Sequence, residues 1–478
     1  MKRLAILLLM ILVVPSLFAN ARITIVNTDA AGKGFNDPTP AQPVGGNEGM
    51  TLGEQRLNAF RYAADVWSKL LQSNVEILVN ATFSPINRGT DSCNILGSAA
   101  PVEFVANFDN APQQSVWYPV ALANSFAKKD LRPASSDITA TFNSLIDTDQ
   151  CAGLKWYYGL DGKHGDKIDL VVVLLHELAH GFGVSGTVSL SSGTDLQGLP
   201  SIHEQHTLDI ATGLRWDQMT AAQRRQSALN TGRLVWDGPS TRMMANDVLG
   251  SVTTLTVVAP SDIARNYDIG TAAFGARADQ TALTGNIVAA EDANDADGPS
   301  TTDGCSPYTN ASAISGNISL VDRGTCTFVK KAQNAQTAGA SGVVIVDNRR
   351  DTCLAPGMAG DDASITIPII SINADDGEAI RKQLAAGVRA TLRVDPSTMA
   401  GASSTGLAKL YAPCTLVTGS SVFHWDVTAS PNLLMEPAIN GDVGHGVDLT
   451  INQLIDLGWA RSANDGPPPG RRTLKRGR

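Results

Sequence analysis

Two histidines and a glutamate lie in the order His176-Glu177-Leu178-Ala179-His180, an HExxH motif. On an α-helix, residues four apart lie on one face, so the two imidazoles could chelate a single Zn²⁺ ion. Glu177 would lie beside that ion and could take a proton from a water molecule there. The same five residues are compatible with two surface histidines on an amphipathic helix, because the pattern also arises by chance.

The residues around the motif predict a buried helix. Residues 170–175 are apolar on every side, which is typical of a helix inside a protein. Buried histidine and glutamate side chains need polar partners, and a metal ion would supply them. Gly181 and Gly183 follow directly, and glycine commonly ends a helix. We therefore expect a metal-binding helix over residues 171–183.

A catalytic zinc normally has three protein ligands and a fourth position for water. In the pattern HExxHxxGxxH the third histidine follows the glycine closely. Here Gly183 takes the glycine position, but Gly186 stands where the histidine would be. The third ligand must therefore come from another part of the chain.

His424 is the third ligand that the sequence favours. It lies in the stretch VFHWDVTASPNLLMEPA, in which a His-Trp pair precedes Met435. This stretch and the motif helix resemble leishmanolysin, a metzincin-type zinc metallopeptidase whose third histidine lies far from its HExxH motif. The resemblance implies a methionine packed beneath the metal, at Met435. It implies the following metal ligands and general base: His176, His180 and His424 for the metal, and Glu177 for the base.

Other polar residues compete with His424 for the third position. Glu204 follows the second motif histidine by 24 residues, about the distance at which a thermolysin-like site takes its glutamate, and His203 and His206 flank it. We expect these three on a surface segment that borders the cleft. His445, in GDVGHGVDL, is expected in an exposed loop, and His164, in DGKHGDK, in a turn.

The sequence pattern changes near residue 251, where short predicted strands separated by Asp- and Gly-rich loops begin. Residues 318–348 read ISLVDRGTCTFVKKAQNAQTAGASGVVIVDN, and IPIISINADDGEAIRKQL follows. This stretch resembles the protease-associated (PA) domain, which implies a small β-rich lid or interaction module without chemistry of its own. Asp322 and Arg323 are therefore expected to be structural. Because His424 lies beyond this region, we interpret it as an insertion in the enzyme.

The predicted fold is α+β, a metzincin-like zinc peptidase domain interrupted by the β-rich PA domain. Before the motif helix, the apolar periodicity predicts these elements: a strand at residues 22–27, a helix at 52–71, and strands at 75–83 and 138–142. We expect the last of these strands to lie at an edge of its sheet and an extended substrate to bind along it. The predicted division is a signal peptide (1–21), a peptidase first part (22–250), the PA domain (251–398), a peptidase second part (399–462) and a disordered basic tail (463–478).

The amino end and the composition bear on the compartment. Lys2 and Arg3 precede an apolar stretch, and Ala19-Asn20-Ala21 fits a signal-peptide cleavage site. A net charge of -9 argues against a nucleic-acid surface. Six cysteines in an exported chain suggest three disulfides, and sequence proximity favours these pairs: Cys93–Cys151, Cys305–Cys326 and Cys353–Cys414.

Together these features predict a secreted zinc endopeptidase that acts on proteins or peptides. We expect a monomer without a membrane anchor, located outside the cytoplasm. The alternative is a catalytically inactive extracellular binding protein that keeps a protease-like fold and uses the PA domain for recognition. An aminopeptidase with a PA insertion has less support, because the sequence shows no Asp, Glu and His cluster of the two-metal type.

Overall fold

The computed structural model describes residues 20–461, except 90, 91, 152, 279, 280, 282, 351 and 352. Most of the predicted signal peptide and the whole basic tail therefore lie outside the described residues. Within the described part, no helix is both long and apolar enough to cross a membrane.

The helices are interspersed with strands along the described chain. They are Leu52–Leu70 (α1), Val120–Ala127 (α2), Leu170–Phe182 (α3), Ala221–Ser227 (α4), Pro239–Val248 (α5), Ala311–Ile314 (α6), Phe328–Thr337 (α7), Ala374–Gln383 (α8) and Thr450–Leu457 (α9).

The strands fall into two groups. Those before residue 251 are Ile23–Asn27 (β1), Leu71–Gln72 (β2), Ile77–Ser84 (β3), Gly97–Pro101 (β4), Phe104–Val105 (β5), Tyr118–Pro119 (β6), Ile138–Asn143 (β7), Trp156–Tyr157 (β8), Ile168–Asp169 (β9), Thr207–Asp209 (β10), Leu214–Arg215 (β11) and Leu234–Trp236 (β12). Those after it are Ser251–Ala259 (β13), Arg265–Asp268 (β14), Gly270–Thr271 (β15), Thr284–Ala289 (β16), Ile318–Asp322 (β17), Gly342–Val346 (β18), Ile369–Ile372 (β19), Arg389–Met399 (β20) and Ala460–Arg461 (β21).

A four-stranded sheet in the order β1-β3-β7-β4 supports α1 and α3. Strands β1, β3 and β7 are parallel, whereas β4 is antiparallel to β7 and forms one edge. The Trp67 indole of α1 donates a hydrogen bond to the Leu175 carbonyl of α3 (3.1 Å). This contact fixes the motif helix against its neighbour, since both groups are buried.

The prediction that residues 138–142 form an exposed edge was wrong. These residues lie in β7, which pairs with β3 on one side and β4 on the other. The alternation of the strand was read correctly, but alternation shows which face is buried and not which neighbours pair. The edge beside α3 is β4, whose small residues gave little strand signal.

A second sheet of eight strands occupies the region between residues 251 and 399, in the order β14-β13-β20-β16-β17-β18-β19-β15. Its central strands β16 to β19 are parallel, and β13 and β20 form a long antiparallel pair that leads into and out of the region. We call this region, β13 to β20, the module.

The buried apolar residues separate in the same way. One core cluster contains residues from 21 to 249 together with residues from 402 to 459. Two further clusters contain only residues between 255 and 392. The chain before the module and the chain after it therefore share one core. Helices and strands mix in both parts, as expected for an α+β chain.

All three predicted disulfides are confirmed. Cys93 pairs with Cys151, Cys305 with Cys326, and Cys353 with Cys414. The first lies before the module, the second lies within it, and the third joins the module to the chain that follows it.

Candidate metal centre

Helix α3 carries His176, Glu177 and His180 on its last two turns. Asp169 caps its start by accepting a hydrogen bond from the Val171 amide (2.9 Å). The helix ends at Phe182, and the next residue, Gly183, has a φ of 135°, which is unfavourable for other residues. Nearly every residue of the helix is buried, as the sequence predicts, so its histidines are held in a rigid environment.

The structure brings His424 to the two histidines of α3. The Nε2 atom of His424 lies 3.2 Å from Nε2 of His176 and 3.2 Å from Nε2 of His180. Among the described residues, these three side chains form the one group of His, Cys, Asp and Glu that could hold a metal ion. Residues separated by 244 and 248 positions thus meet at one point.

The other ring nitrogen of each histidine is bonded to a backbone carbonyl oxygen. Nδ1 of His176 lies 2.7 Å from the Leu434 oxygen, and Nδ1 of His180 lies 2.7 Å from the Val184 oxygen. Nδ1 of His424 lies 2.8 Å from the Ser420 oxygen. Because a carbonyl only accepts, each Nδ1 carries the proton, and each Nε2 presents a lone pair to the centre.

Burial keeps these imidazoles neutral. It lowers the pKa of His176 to about 3, with a further contribution from His180. It also lowers the pKa of His180 and takes that of His424 well below its ordinary value. Neutral imidazoles are the form that binds metal ions.

The three nitrogens fit a zinc ion. Three lone pairs that converge without a proton between them repel, so the arrangement requires a cation to compensate them. Nitrogens bound to one tetrahedral zinc at about 2.0–2.1 Å would lie ~3.3 Å apart, close to the 3.2 Å seen here. Three neutral imidazoles, each held by a backbone carbonyl, are a typical zinc donor set.

Glu177 lies between the histidines in the sequence and faces the edge strand β4. Burial raises the pKa of Glu177 to about 8, and a hydrogen bond from the backbone of Ala99 partly opposes this. A Cβ atom at Gly97 would lie 3.1 Å from the Phe142 ring and 3.2 Å from Glu177 Cγ, so a side chain here would press on both residues. The carboxyl group is thus held against the edge strand β4, on the helix that carries His176 and His180.

The segment around Met435 supports the centre from another side. Met435 is fully buried, and its carbonyl accepts a hydrogen bond from the Trp425 amide (2.7 Å). Two carboxylates fix the backbone next to it: Asp448 accepts from the Leu434 amide, and Glu436 accepts from the Leu433 amide (2.8 Å). The Leu434 carbonyl that holds His176 is therefore itself held in place.

The expectation of a surface segment at residues 203–206 was wrong for His203 and Glu204. Both are fully buried, and the His203 ring packs between Trp236 and Phe423. Glu204 accepts hydrogen bonds from the Ser201 amide and hydroxyl. A polar sequence indicated exposure, but aromatic rings from distant parts of the chain cover His203.

The remaining histidines also lie away from the cluster. Nε2 of His445 lies 2.9 Å from Asp169, and its side chain is only 12% exposed, so the expected exposed loop was wrong for this residue. His164 occupies a turn, as predicted, and contacts the carbonyls of Lys167 and Gly441.

Asp322 and Arg323 have structural roles within the module. Arg323 pairs with Asp347 (2.8 Å), and Asp322 accepts a hydrogen bond from Thr302.

Sequence reasoning missed three residues that shape the centre: Gly97, Glu436 and Asp448. The run Gly97-Ser98-Ala99-Ala100 was a usable signal, because consecutive small residues permit close approach of backbones. The two carboxylates gave no comparable signal, since each acts on a backbone amide rather than on a partner with a motif.

Comparison with known families identifies two regions. A family model described as the PA domain matches residues 271–380, inside the module. A second, described as SPBPB7E8-like, matches residues 47–202, which include α1 and α3.

Curated relatives match parts of this chain. The ER degradation-enhancing alpha-mannosidase-like protein 3 of Xenopus laevis is 42% identical over 84 residues, 16% of this chain and 9% of the relative. Aminopeptidase YwaD of Bacillus subtilis is 38% identical over 69 residues, 14% of this chain and 15% of the relative. "Probable lipoprotein aminopeptidase LpqL" of Mycobacterium tuberculosis is 30% identical over 197 residues, 41% of this chain and 34% of the relative. The chain thus spans about a tenth to a third of these relatives.

Among solved structures, BSAP, a zinc aminopeptidase from Bacillus subtilis, is 22% identical, with a TM-score of 0.23. The superposition covers 41% of this chain and 42% of that one.

Proposed function

We propose that the chain is a secreted, zinc-dependent endopeptidase with a metzincin-like active site. The observation that carries this proposal is the convergence of three Nε2 atoms: those of His176 and His180 each lie 3.2 Å from that of His424, and the helix of the first two also carries Glu177. His176, His180 and His424 would hold the ion. Three disulfides support an oxidising compartment outside the cytoplasm.

When bound, a zinc ion supplies Lewis-acid polarisation of the scissile carbonyl and acidifies a water molecule. Glu177 takes the proton of the attacking water on a carboxylate oxygen and later delivers it to the leaving amine nitrogen. The rigid helix keeps this carboxyl beside the ligands before substrate arrives, so orientation costs little during the reaction. Burial around Glu177 excludes water that would compete for its proton.

An extended substrate would bind along β4 rather than along β7. Strand β4 is at the edge of the sheet, and the side chains of Ser98 and Ala100 are exposed along it. An incoming peptide can add to such an edge through main-chain hydrogen bonds. This mode holds a peptide by its middle, which favours cleavage of internal bonds. Aminopeptidase activity is the second candidate, supported by the names of two partial relatives.

Zinc content and cleavage of peptides with blocked and free amino ends test the proposal. The purified chain should contain one zinc and cleave a blocked, internally quenched peptide. Glu177→Gln should keep the zinc and lose about 10²–10⁴-fold in kcat. Cleavage of free-ended peptides alone would establish the aminopeptidase, and a chain without zinc or hydrolysis would be a non-catalytic binding protein. Full activity of zinc-loaded Glu177→Gln would refute the role of the base.

A further inference from the structure

The module is fastened to the segment that carries the third histidine. The first attachment is the Cys353–Cys414 disulfide, which joins a module loop to the chain ten residues before His424. It is the one disulfide that crosses between the module and the rest of the chain, all six cysteines being paired. Besides its two connecting strands, the module is therefore covalently joined to the rest of the chain by this disulfide.

A short backbone ladder carries the position of Cys414 to His424. Tyr411 donates its amide to the His424 carbonyl (2.9 Å) and accepts from the Val422 amide (2.8 Å). Leu410 forms an antiparallel bridge with Trp425. The chain that leads into the disulfide is thus directly paired with the residues around the histidine.

The turn between these paired residues is strained. Val422 is fully buried and has a φ of 76°, a conformation that β-branched residues rarely adopt. Such strain persists only where the surrounding structure imposes it. Two residues later, His424 directs Nδ1 at the Ser420 carbonyl within the same turn. The orientation of the imidazole therefore depends on this turn. The turn would relax if the chain paired with it were free to move.

The two connecting strands make a second attachment, between His424 and Met435. Ser251 in β13 pairs with Met399 in β20, where the chain enters and leaves the module. Just outside this pair, the Gly250 amide donates to the Ser430 carbonyl (2.6 Å), and the Ala400 amide donates to Gly250 (2.9 Å). The base of the module thus holds the loop between the histidine and the methionine.

A third approach lies beyond Met435. A Cβ atom at Gly357, in the module, would lie 3.6 Å from Oδ1 of Asn440. The Asn440 side chain donates a hydrogen bond from Nδ2 to the Glu436 carboxylate (2.9 Å), and this carboxylate accepts from the Leu433 backbone amide. The module therefore reaches the ligand-bearing segment before His424, after it, and after Met435.

We propose that the module is a scaffold for the third metal ligand, and that the Cys353–Cys414 disulfide is the positioning element that holds His424 in place. This inference rests on the proposed zinc site. It assigns the module a role in metal retention, so that opening one disulfide weakens zinc binding without touching a ligand.

The test compares two disulfide deletions in the full-length chain. Cys353→Ser with Cys414→Ser removes the proposed tether, and Cys93→Ser with Cys151→Ser removes a disulfide of nearly equal loop length. The sequence separations are 61 and 58, so the two deletions relax the unfolded chain to a similar extent. Zinc affinity is measured by competition with a chromophoric chelator, and the geometry of the site by the visible spectrum of the Co²⁺ form.

We expect the tether deletion to weaken zinc binding by roughly 10-fold or more, the size seen when groups that orient a ligand are lost. The control deletion should lower the melting temperature similarly but change zinc affinity less than about threefold. In a His424→Ala background, the tether deletion should have no further effect, because both changes act through one ligand. Additive effects, or equal zinc affinity in the two deletions, would overturn the inference.

Two measurements separate this inference from the proposed function. If the wild-type chain binds no zinc, the zinc site itself is wrong. If it binds zinc and cleaves peptide while the tether deletion behaves like the control, only the scaffold role is wrong. Should the serine pair not fold, mild reduction of the folded wild-type chain replaces it, with each disulfide followed by mass spectrometry. Zinc release should then follow opening of Cys353–Cys414, and release that follows another disulfide would contradict the proposal.

Discussion

Phe423 occupies the space that a side chain at residue 186 would need. A Cβ atom at Gly186 would lie 2.8 Å from Cε1 of the Phe423 ring, closer than real contacts of this kind. Position 186 is where the HExxHxxGxxH pattern places its third histidine. Phe423 thus occupies the space beside Gly186, and the next residue, His424, joins His176 and His180 as the third histidine of the cluster.

The first prediction concerns His424. His424→Ala should weaken zinc binding by at least about 100-fold, since loss of a group that only orients a ligand already costs 10–100-fold. Adding Gly186→His should not restore it, because the new side chain would collide with Phe423. His164→Ala, in an exposed turn, serves as the control and should leave zinc affinity unchanged. Restoration by Gly186→His would show that the two positions are interchangeable.

The second prediction concerns the edge strand. Gly97→Val should lower kcat by roughly 10- to 100-fold, because a side chain there presses on Glu177 and small misplacements of a reacting group are costly. Zinc content should not change, since no ligand is displaced. Thr139→Val is the matched control, as Thr139 is exposed on the neighbouring strand β7, away from the proposed substrate edge. Equal activity of the two variants would contradict the close packing of β4 against Glu177.

The third prediction concerns metal removal. The carbonyls that hold the three histidines belong to Val184, Ser420 and Leu434. Chelation should raise the rate of amide hydrogen exchange around these three positions, because repulsion between uncompensated lone pairs loosens the rings. Exchange in β13 and β20 should stay the same, and added zinc should restore protection. Uniform exchange with and without metal would contradict the zinc assignment.

Much of the centre was predictable because its strongest signals are local. His176, Glu177 and His180 fall within five residues on one helix, and the apolar run before them marks it as buried. His424 was accessible only through its pairing with Met435 in a known pattern. No local rule relates residues more than two hundred positions apart.

The parts that could not be predicted depend on tertiary pairing. The strand over residues 138–142 was expected at an edge, but its two neighbours come from distant stretches of chain. The composition of Asp237-Gly238-Pro239 is typical of a turn, whereas α5 begins at Pro239. Proline fits the first position of a helix as well as a turn, so these residues are compatible with either structure. The helix is favoured by Asp456, which accepts hydrogen bonds from the backbone amides of its first turn.

The fourth prediction concerns Asp456. The Asp456 carboxylate accepts hydrogen bonds from the Trp236 indole, the Ser240 amide, and the Thr241 amide and hydroxyl. Asp456→Ala should lower the free energy of unfolding by about 2–4 kcal/mol, because several buried donors lose their acceptor. Asp247→Ala, which removes an equal charge from the exposed face of α5, should change it by less than about 0.5 kcal/mol. Urea titration measures both, and similar values would contradict the anchoring role.

The fifth prediction concerns pH and Asp137, a buried carboxylate away from the metal centre. Asp137 accepts from the Leu78 amide (2.8 Å) and from the Asn124 side chain (2.7 Å). Burial raises its pKa from 3.8 to about 6, although the Leu78 bond opposes this. Between these values the folded chain binds more protons than the unfolded chain, so stability from this group is present at low pH and is lost as pH rises.

Asp137→Asn removes this titration but also loses one of the two hydrogen bonds, so the variant should be less stable than wild type at about pH 4. Its deficit should shrink as the pH rises to about 7, because the wild-type chain must then keep a buried charge. Melting temperatures of both proteins across this range measure the difference. Because Asn cannot titrate, a deficit that stayed constant or grew with pH would mean that Asp137 is already ionised in the folded chain at low pH. Its two hydrogen-bond donors would then outweigh the cost of burial.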